Sequence, residues 1–136
     1  MNKNLLEGRV AVVTGAGQGI GEAIARRLAE FGADVIITDI NSEKGEAVAA
    51  SVRESGARAE FRRLDVTDFD RLREHIFSRR VVFGRIDIWV NNAGITGTAR
   101  VDEITLEDWD RMQTLDIKSV FFCTQAVYEI MKEQNY

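Results

Sequence analysis

The chain has 136 residues, 45% of them hydrophobic and 29% charged, with a formal net charge of −4. That is long enough for one globular domain with its own core, and the acidic balance without a basic stripe argues against a nucleic-acid partner. No apolar run reaches membrane-spanning length, and the single cysteine, Cys123, excludes an internal disulfide and fits a reducing, cytoplasmic compartment.

The first seven residues are too few and too polar for a signal peptide. Residues 9–14 form a short apolar, β-branched run ahead of a glycine-rich turn, the mark of a buried strand. Residues 19–31 repeat apolar side chains at helical spacing, with Ile20, Ile24, Leu28 and Phe31 on one face and Glu22, Arg26, Arg27 and Glu30 toward water. Gly32 stands where a helix C-terminus favours glycine. A second buried strand is expected over 34–39. Ser42 is the expected cap of a helix over 43–54, which ends at Gly56. The run 59–64 reads as a third strand, and its Arg62 and Arg63 point to a sheet edge or a strand end.

Next comes the loop Asp65-Val66-Thr67-Asp68, with Asp68 the better placed cap. Phe69, Leu72, Ile76, Phe77 and Val81 trace a helical face up to Gly84. A fourth strand is expected over 86–90, followed by Asn91-Asn92-Ala93-Gly94. Thr105 and Asp108 look like a capped first turn. From there a long helical stretch reaches about residue 132. Four alternations of strand and helix predict an α/β fold, a Rossmann-like doubly wound parallel sheet with right-handed crossovers.

The centre of the pattern is Thr14-Gly15-Ala16-Gly17-Gln18-Gly19-Ile20-Gly21. A strand, a glycine loop and a helix make a phosphate-binding turn, because the helix start offers free N–H groups to an anion. The G-x-G-x-x-G spacing fails here, since its third glycine would fall on Ile20. The spacing that fits is G-x-x-x-G-x-G on Gly15, Gly19 and Gly21. A carboxylate about 20 residues past such a loop accepts hydrogen bonds from adenosine ribose hydroxyls, and Asp39 occupies that place. Asp39 would repel a 2′-phosphate, and Gln18 stands where a basic residue would meet one. Both points favour NAD over NADP. Asp39 also reads as an ordinary strand-end aspartate. Asp65 and Val66 follow the third strand at the same sheet end, where they meet either an adenine or the next helix. The asparagines of 91–94 can tie strand ends together through side-chain bonds to backbone, and Ala93 and Gly94 leave room for a ligand.

Together these motifs, with the run Val120-Phe121-Phe122-Cys123-Thr124-Gln125-Ala126-Val127, resemble the short-chain dehydrogenase/reductase family over essentially the whole chain. The resemblance implies hydride transfer between a nicotinamide cofactor and a small-molecule alcohol or carbonyl substrate. It carries cofactor contacts onto Gly15, Gln18, Gly19, Ile20, Gly21, Asp39, Asp65, Val66, Asn92, Ala93 and Gly94. Residues 1–136 then form a single NAD-binding half-domain, ending before the family's fifth strand. The family's serine and Tyr-x-x-x-Lys would follow Tyr136, so no catalytic residue is assigned and the chain alone is expected to be inactive. Tyr128 and Lys132 share that spacing one strand too early and read as helix surface or subunit contact. Asp116 occupies the family's asparagine position in the helix after the fourth strand; it reads equally as part of a proton relay or as a solvated aspartate. One histidine, His75, and one cysteine make a metal site improbable on composition. Self-association is expected, through the 105–132 helical region or the edge of the fourth strand.

Overall fold

A computed structural model describes residues 4–135, leaving aside the side chains of residues 79–81. Four short strands, β1 (Val10–Val13), β2 (Asp34–Asp39), β3 (Ala59–Arg63) and β4 (Ile88–Val90), lie in the order β3-β2-β1-β4. Every pairing is parallel, with Val12 opposite Ile36 on one side and opposite Trp89 on the other. Three helices connect them, α1 (Gly19–Glu30), α2 (Ser42–Glu54) and α3 (Leu72–Phe83). Beyond β4 come α4 (Leu106–Gln113), a π-helical turn (Thr114–Lys118) and α5 (Ser119–Gln134). The expected fold class is therefore present, with β3 at the edge that Arg62 and Arg63 indicated.

Residue alternation along the strands divides the interior into two layers. Val10 and Val12 point into a core with Ile36, Leu72, Ile76, Cys123 and Ile130, under α3 and α5. Ala11 and Val13 point the other way, to Val35, Ile37, Ala25, Ala29, Val48 and Val52, under α1 and α2. Burial pushes the Cys123 thiol up to about 12, which makes it an inert packing group rather than a nucleophile.

Local details correct several expectations. On α1 the buried positions are Gly21, Ala25 and Ala29, whereas Ile20 is 76% exposed. The helix turns its smallest residues to the sheet, and Ile24 and Leu28 pack only at the margin. The cap of α2 is Asn41, whose side chain accepts from the Lys44 N–H at 3.0 Å, and Ser42 is the first helical residue. Asp68 does not cap α3; that helix starts at Leu72, with Arg71 at its N-cap. Phe69 stays outside it, edge-on to Phe122 at 5.7 Å and beneath the Lys118 ammonium at 4.6 Å. Val81 lies among the side chains not described. β4 is shorter than expected: Ile86 is paired with a side chain instead of a strand, while the Asp87 N–H still donates to the Val10 carbonyl at 2.9 Å. The Gln134 side chain pairs with both backbone groups of Ile86, at 2.9 Å and 2.8 Å, as a neighbouring strand residue would. The capping box of Thr105 and Asp108 forms as expected. Hydrogen bonds from the Thr105 hydroxyl and N–H hold the Asp108 carboxyl below its usual range.

Asp87 fastens β4 to the start of β1. Its carboxylate accepts from Val10 N–H at 2.9 Å and from Arg85 Nε at 2.7 Å, and it pairs with Arg9 at 3.4 Å. Its side chain is fully buried. Burial alone would raise its pKa, but the hydrogen bonds from Arg85 and Val10, the Arg85 charge and the bond from Arg9 outweigh it and lower the value. A carboxyl lowered on folding stabilises above its unfolded pKa of about 3.9 and loses that effect as pH falls through its folded value. Asp87→Asn should therefore lower stability at neutral pH by about 2 kcal/mol and flatten the loss of stability below pH ~4. Urea unfolding between neutral and acid pH, with the variant as steep as the parent, would refute this.

Candidate functional site

The sheet order places β1 and β4 side by side although three crossovers separate them in sequence. Ligands bind at the carboxyl ends of strands where such an order reverses. At that point lies an open cleft of about 1350 Å³.

Its floor is fixed by Thr14. The Thr14 hydroxyl accepts from the N–H groups of Asn92 and Ala93, at 3.0 Å and 2.9 Å, and donates to the Val90 carbonyl at 3.3 Å. In return the Asn92 amide donates to the carbonyls of Thr14 and Gly15, at 2.9 Å and 3.1 Å. The strand ends are thus tied as the paired asparagines suggested, but by Asn92 alone. Asn91 turns to Trp89 and to Thr124 on α5. Gly15 has a φ of +62°, and a Cβ there would lie 2.9 Å from Ala93 Cα, so backbone meets backbone. Gly19, with a φ of +59°, faces open space where a side chain would stand. The first-turn N–H groups of α1 at Gly19 and Ile20 lack intrahelical acceptors.

Asp39, at the tip of β2, accepts from Gly17 N–H at 2.8 Å and from Asn41 N–H at 2.9 Å. It shapes the glycine loop and retains further acceptor capacity on each oxygen. Asp65 turns one oxygen to Thr67, accepting from its N–H at 2.9 Å and its hydroxyl at 2.7 Å. Val66 is 6% exposed and belongs to the core while lining the cleft.

Opposite the glycine loop the helical stretch is interrupted by the π-helical turn that carries Asp116. An Asp116 oxygen accepts from Ile95 N–H at 2.9 Å and anchors the loop that follows β4. The close approach of Gly94 leaves 3.1 Å between a notional Cβ and that same oxygen. The structure brings Gly15, Gln18, Gly19, Ile20, Gly21, Asp39, Asp65, Val66, Asn92, Ala93, Gly94 and Asp116 to one cleft. Tyr128 and Lys132 are exposed on α5 and do not line it. Among the described residues no group of three metal-ligating side chains is found.

The family model for short chain dehydrogenase matches residues 9–136. The chain belongs to the short-chain dehydrogenase family. It is 36% identical to a 3β-hydroxysteroid dehydrogenase of Mediterraneibacter gnavus, covering 91% of this chain and 45% of that protein. It is 40% identical to a D-threitol dehydrogenase of Mycolicibacterium smegmatis, covering 94% of this chain and 49% of the relative. The crystal structure of a gluconate 5-dehydrogenase from Burkholderia cenocepacia in complex with NADP and tartrate superposes with a TM-score of 0.91 at 37% identity. That match covers 99% of this chain and 53% of the other. The chain spans about half the length of the curated relatives it matches.

Two residues of this chain go beyond the sequence reading. Thr14 is the hub of the site, a role that its place beside the first glycine did not disclose. Lys44, on the first turn of α2, reaches back to donate to the Gln18 side chain. A cation therefore stands beside the glycine loop after all, supplied from a different element. Its sequence signal was weak: a lysine in a helix first turn, where positive charge is unfavourable.

Asp116 holds Ile95 only as an acceptor, which an asparagine carbonyl does equally well. Asp116→Asn should leave stability within about 0.5 kcal/mol of the parent, while Asp116→Ala strands the Ile95 N–H and costs about 1 kcal/mol. Urea midpoints of the two variants check this; equal losses would show that the Ile95 contact carries no stability.

Proposed function

We propose that this chain is the cofactor-binding part of an NAD-dependent oxidoreductase that interconverts an alcohol and a carbonyl compound. The observation that carries the reading is the α1 N-terminus, with open space at Gly19, in one cleft with a strand-end carboxylate at Asp39. The nicotinamide cofactor would accept or deliver hydride. This chain's part is to hold it: first-turn N–H groups of α1 toward the diphosphate, Asp39 toward the ribose hydroxyls of NAD, and Asp65 and Val66 toward the adenine. Asn92, Ala93 and Gly94 complete the wall by keeping the β1 and β4 tips together. The groups that act on the substrate are assigned, by family likeness, to the half of the family fold that this chain does not span. The acidic composition and the single free cysteine support a cytoplasmic setting without a nucleic-acid partner; no helix among the described residues is long and apolar enough to cross a membrane.

Calorimetric titration with NAD tests the binding. Saturation at one site is expected, and Asp39→Ala should weaken it about tenfold or more, since hydrogen bonds to a charged acceptor are lost. No saturation by about 1 mM NAD would sink the reading. Alcohol-dependent NADH formation by the protein separates an oxidoreductase from a module that binds NAD without turnover.

The exposed face of α4 and α5 supports self-association. Trp109 (59%), Ile117 (58%), Phe121 (61%) and Tyr128 (61%) leave large apolar side chains open along α4, the π-helical turn and α5, and exposed apolar surface of this kind is a mark of interfaces. We infer a homo-oligomer through the 105–132 region. Phe121→Glu should shift the sedimentation coefficient toward monomer without altering the far-ultraviolet dichroism; an unchanged coefficient would exclude this face.

A further inference from the structure

Among the described residues β3 has β2 on one side and no strand on the other. The Val35 N–H donates to the Arg58 carbonyl at 3.0 Å, and the Leu64 N–H donates to the Asp39 carbonyl at 3.2 Å. Backbone groups along a strand alternate between its two sides. Glu60 and Arg62 therefore address β2, whereas Ala59, Phe61 and Arg63 turn their N–H and C=O groups outward. Two of those outward carbonyls are already engaged by guanidinium groups. Arg53 Nη1 donates to the Ala59 carbonyl at 3.0 Å, and Arg62 Nη1 donates to the Phe61 carbonyl at 2.7 Å. Each arginine is held in turn by a carboxylate, Arg53 by Glu46 at 2.5 Å and Arg62 by Glu60 at 3.2 Å.

Arg53 stands in the last turn of α2, where a cation suits the helix dipole. The dipole does not explain why its side chain reaches across to a neighbouring strand. Arg62 is exposed and packs into neither core layer. An edge strand with free backbone groups is a template for another strand, and charged side chains along the edge oppose that addition. The strand that meets this edge at high concentration is β3 of a second copy. In a two-fold antiparallel pair centred on Phe61, the two Phe61 residues would exchange both N–H···O=C bonds. The Arg62 guanidinium lies on the carbonyl that this exchange requires, and Arg53 lies on the outward carbonyl before it.

We infer that Arg53 and Arg62 guard the β3 edge: their guanidinium groups occupy outward carbonyls and keep a second copy from adding its own β3 to the sheet. Glu46 and Glu60 hold the two cations in place, so that a bulky planar group stands where the backbone of a partner strand would have to come. The guard stands whether or not the cleft holds a nucleotide, and it concerns a surface other than α4 and α5.

The test compares the parent with Arg62→Thr and with the double variant Arg53→Ala, Arg62→Thr, all carrying Phe121→Glu so that the α4–α5 face does not contribute. Sedimentation velocity over a concentration series reads the mass, and residue-resolved amide hydrogen exchange reads the place. The parent should keep one mass throughout, with the outward N–H groups of Phe61 and Arg63 exchanging rapidly. The double variant should rise about twofold or more in weight-average mass, since an edge-to-edge pair doubles it. Exchange at Phe61 and Arg63 should then slow about tenfold or more in the assembled material. Arg62→Thr should show the same changes at higher concentration, because Arg53 remains and threonine suits a strand. Variants that keep the parent's mass overturn the proposal and mark the arginines as structural ties only. Variants that gain mass while Phe61 and Arg63 exchange as fast as in the parent also overturn it, as does a parent already assembled through this edge. Should the double variant fail to fold, Arg62→Thr, a replacement at an exposed position, decides by the same two readings.

Discussion

The mutual clasp of Thr14 and Asn92 is the interaction on which the cleft depends. β1 and β4 are far apart in sequence and meet only at three register positions, Ala11 with Ile88 through Val13 with Val90. Beyond Val90 the ladder stops and both chains must turn outward. The Thr14 hydroxyl then takes over, accepting two N–H groups of the departing chain while the Asn92 amide satisfies two carbonyls of the other. Each of these backbone groups would otherwise be left without a partner near the core, at a cost of about 1–3 kcal/mol apiece. Four backbone groups are satisfied by two side chains, and the tips are held close enough that Gly15 tolerates no Cβ against Ala93.

That closeness sets the packing behind it. α1 must begin immediately after the loop, so its buried stripe runs Gly21, Ala25, Ala29 and lies tight on a layer that is mostly alanine and valine. Small residues let the helix approach the sheet with its N-terminus aimed at the cleft. The opposite layer is built from larger groups, Ile76, Ile86, Leu72 and Ile130, and its last helix reaches the cleft through a π-helical turn. The Ser119 hydroxyl bonds back to the Leu115 carbonyl across that turn, which widens the helix by one residue and carries Asp116 to the Ile95 N–H.

Much of this was legible in the residues. Apolar β-branched runs located β1, β2 and β4, and the polar Arg62 and Arg63 of the third run pointed to a sheet edge or a strand end; β3 lies at the edge. The glycine spacing and the Asn91–Gly94 run located two sides of the cleft. Helix starts were less legible, because capping depends on which of two adjacent polar residues lies outside the helix: Asn41 took the place expected of Ser42, and Asp68 yielded to a later start at Leu72. The buried face of α1 was misread for a physical reason. Periodicity marks Ile20 and Phe31 as apolar, yet steric closeness to the sheet favours glycine and alanine, which hydrophobic patterns weigh lightly. Lys44 was invisible to motif spacing because its contact with Gln18 crosses from one helix to another.

Charge finally distinguishes the two ends of the cleft. At the Asp39 end Lys44 stands beside one carboxylate, and that carboxylate is engaged by backbone N–H groups. At the other end Glu107, Asp110 and Asp116 line the wall against Arg111 alone. In a cleft walled by protein, fields from such groups persist over distances that bulk water would screen. The polarity is therefore a property of side chains outside the glycine motif. The motif determines that an anion can be received at the start of α1; Lys44 and Asp116, each on a helix that the motif does not touch, determine how charge is distributed on either side of it. A family fold can in this way keep one phosphate-binding turn and still vary what binds around it, because the turn is backbone and the field is side chain.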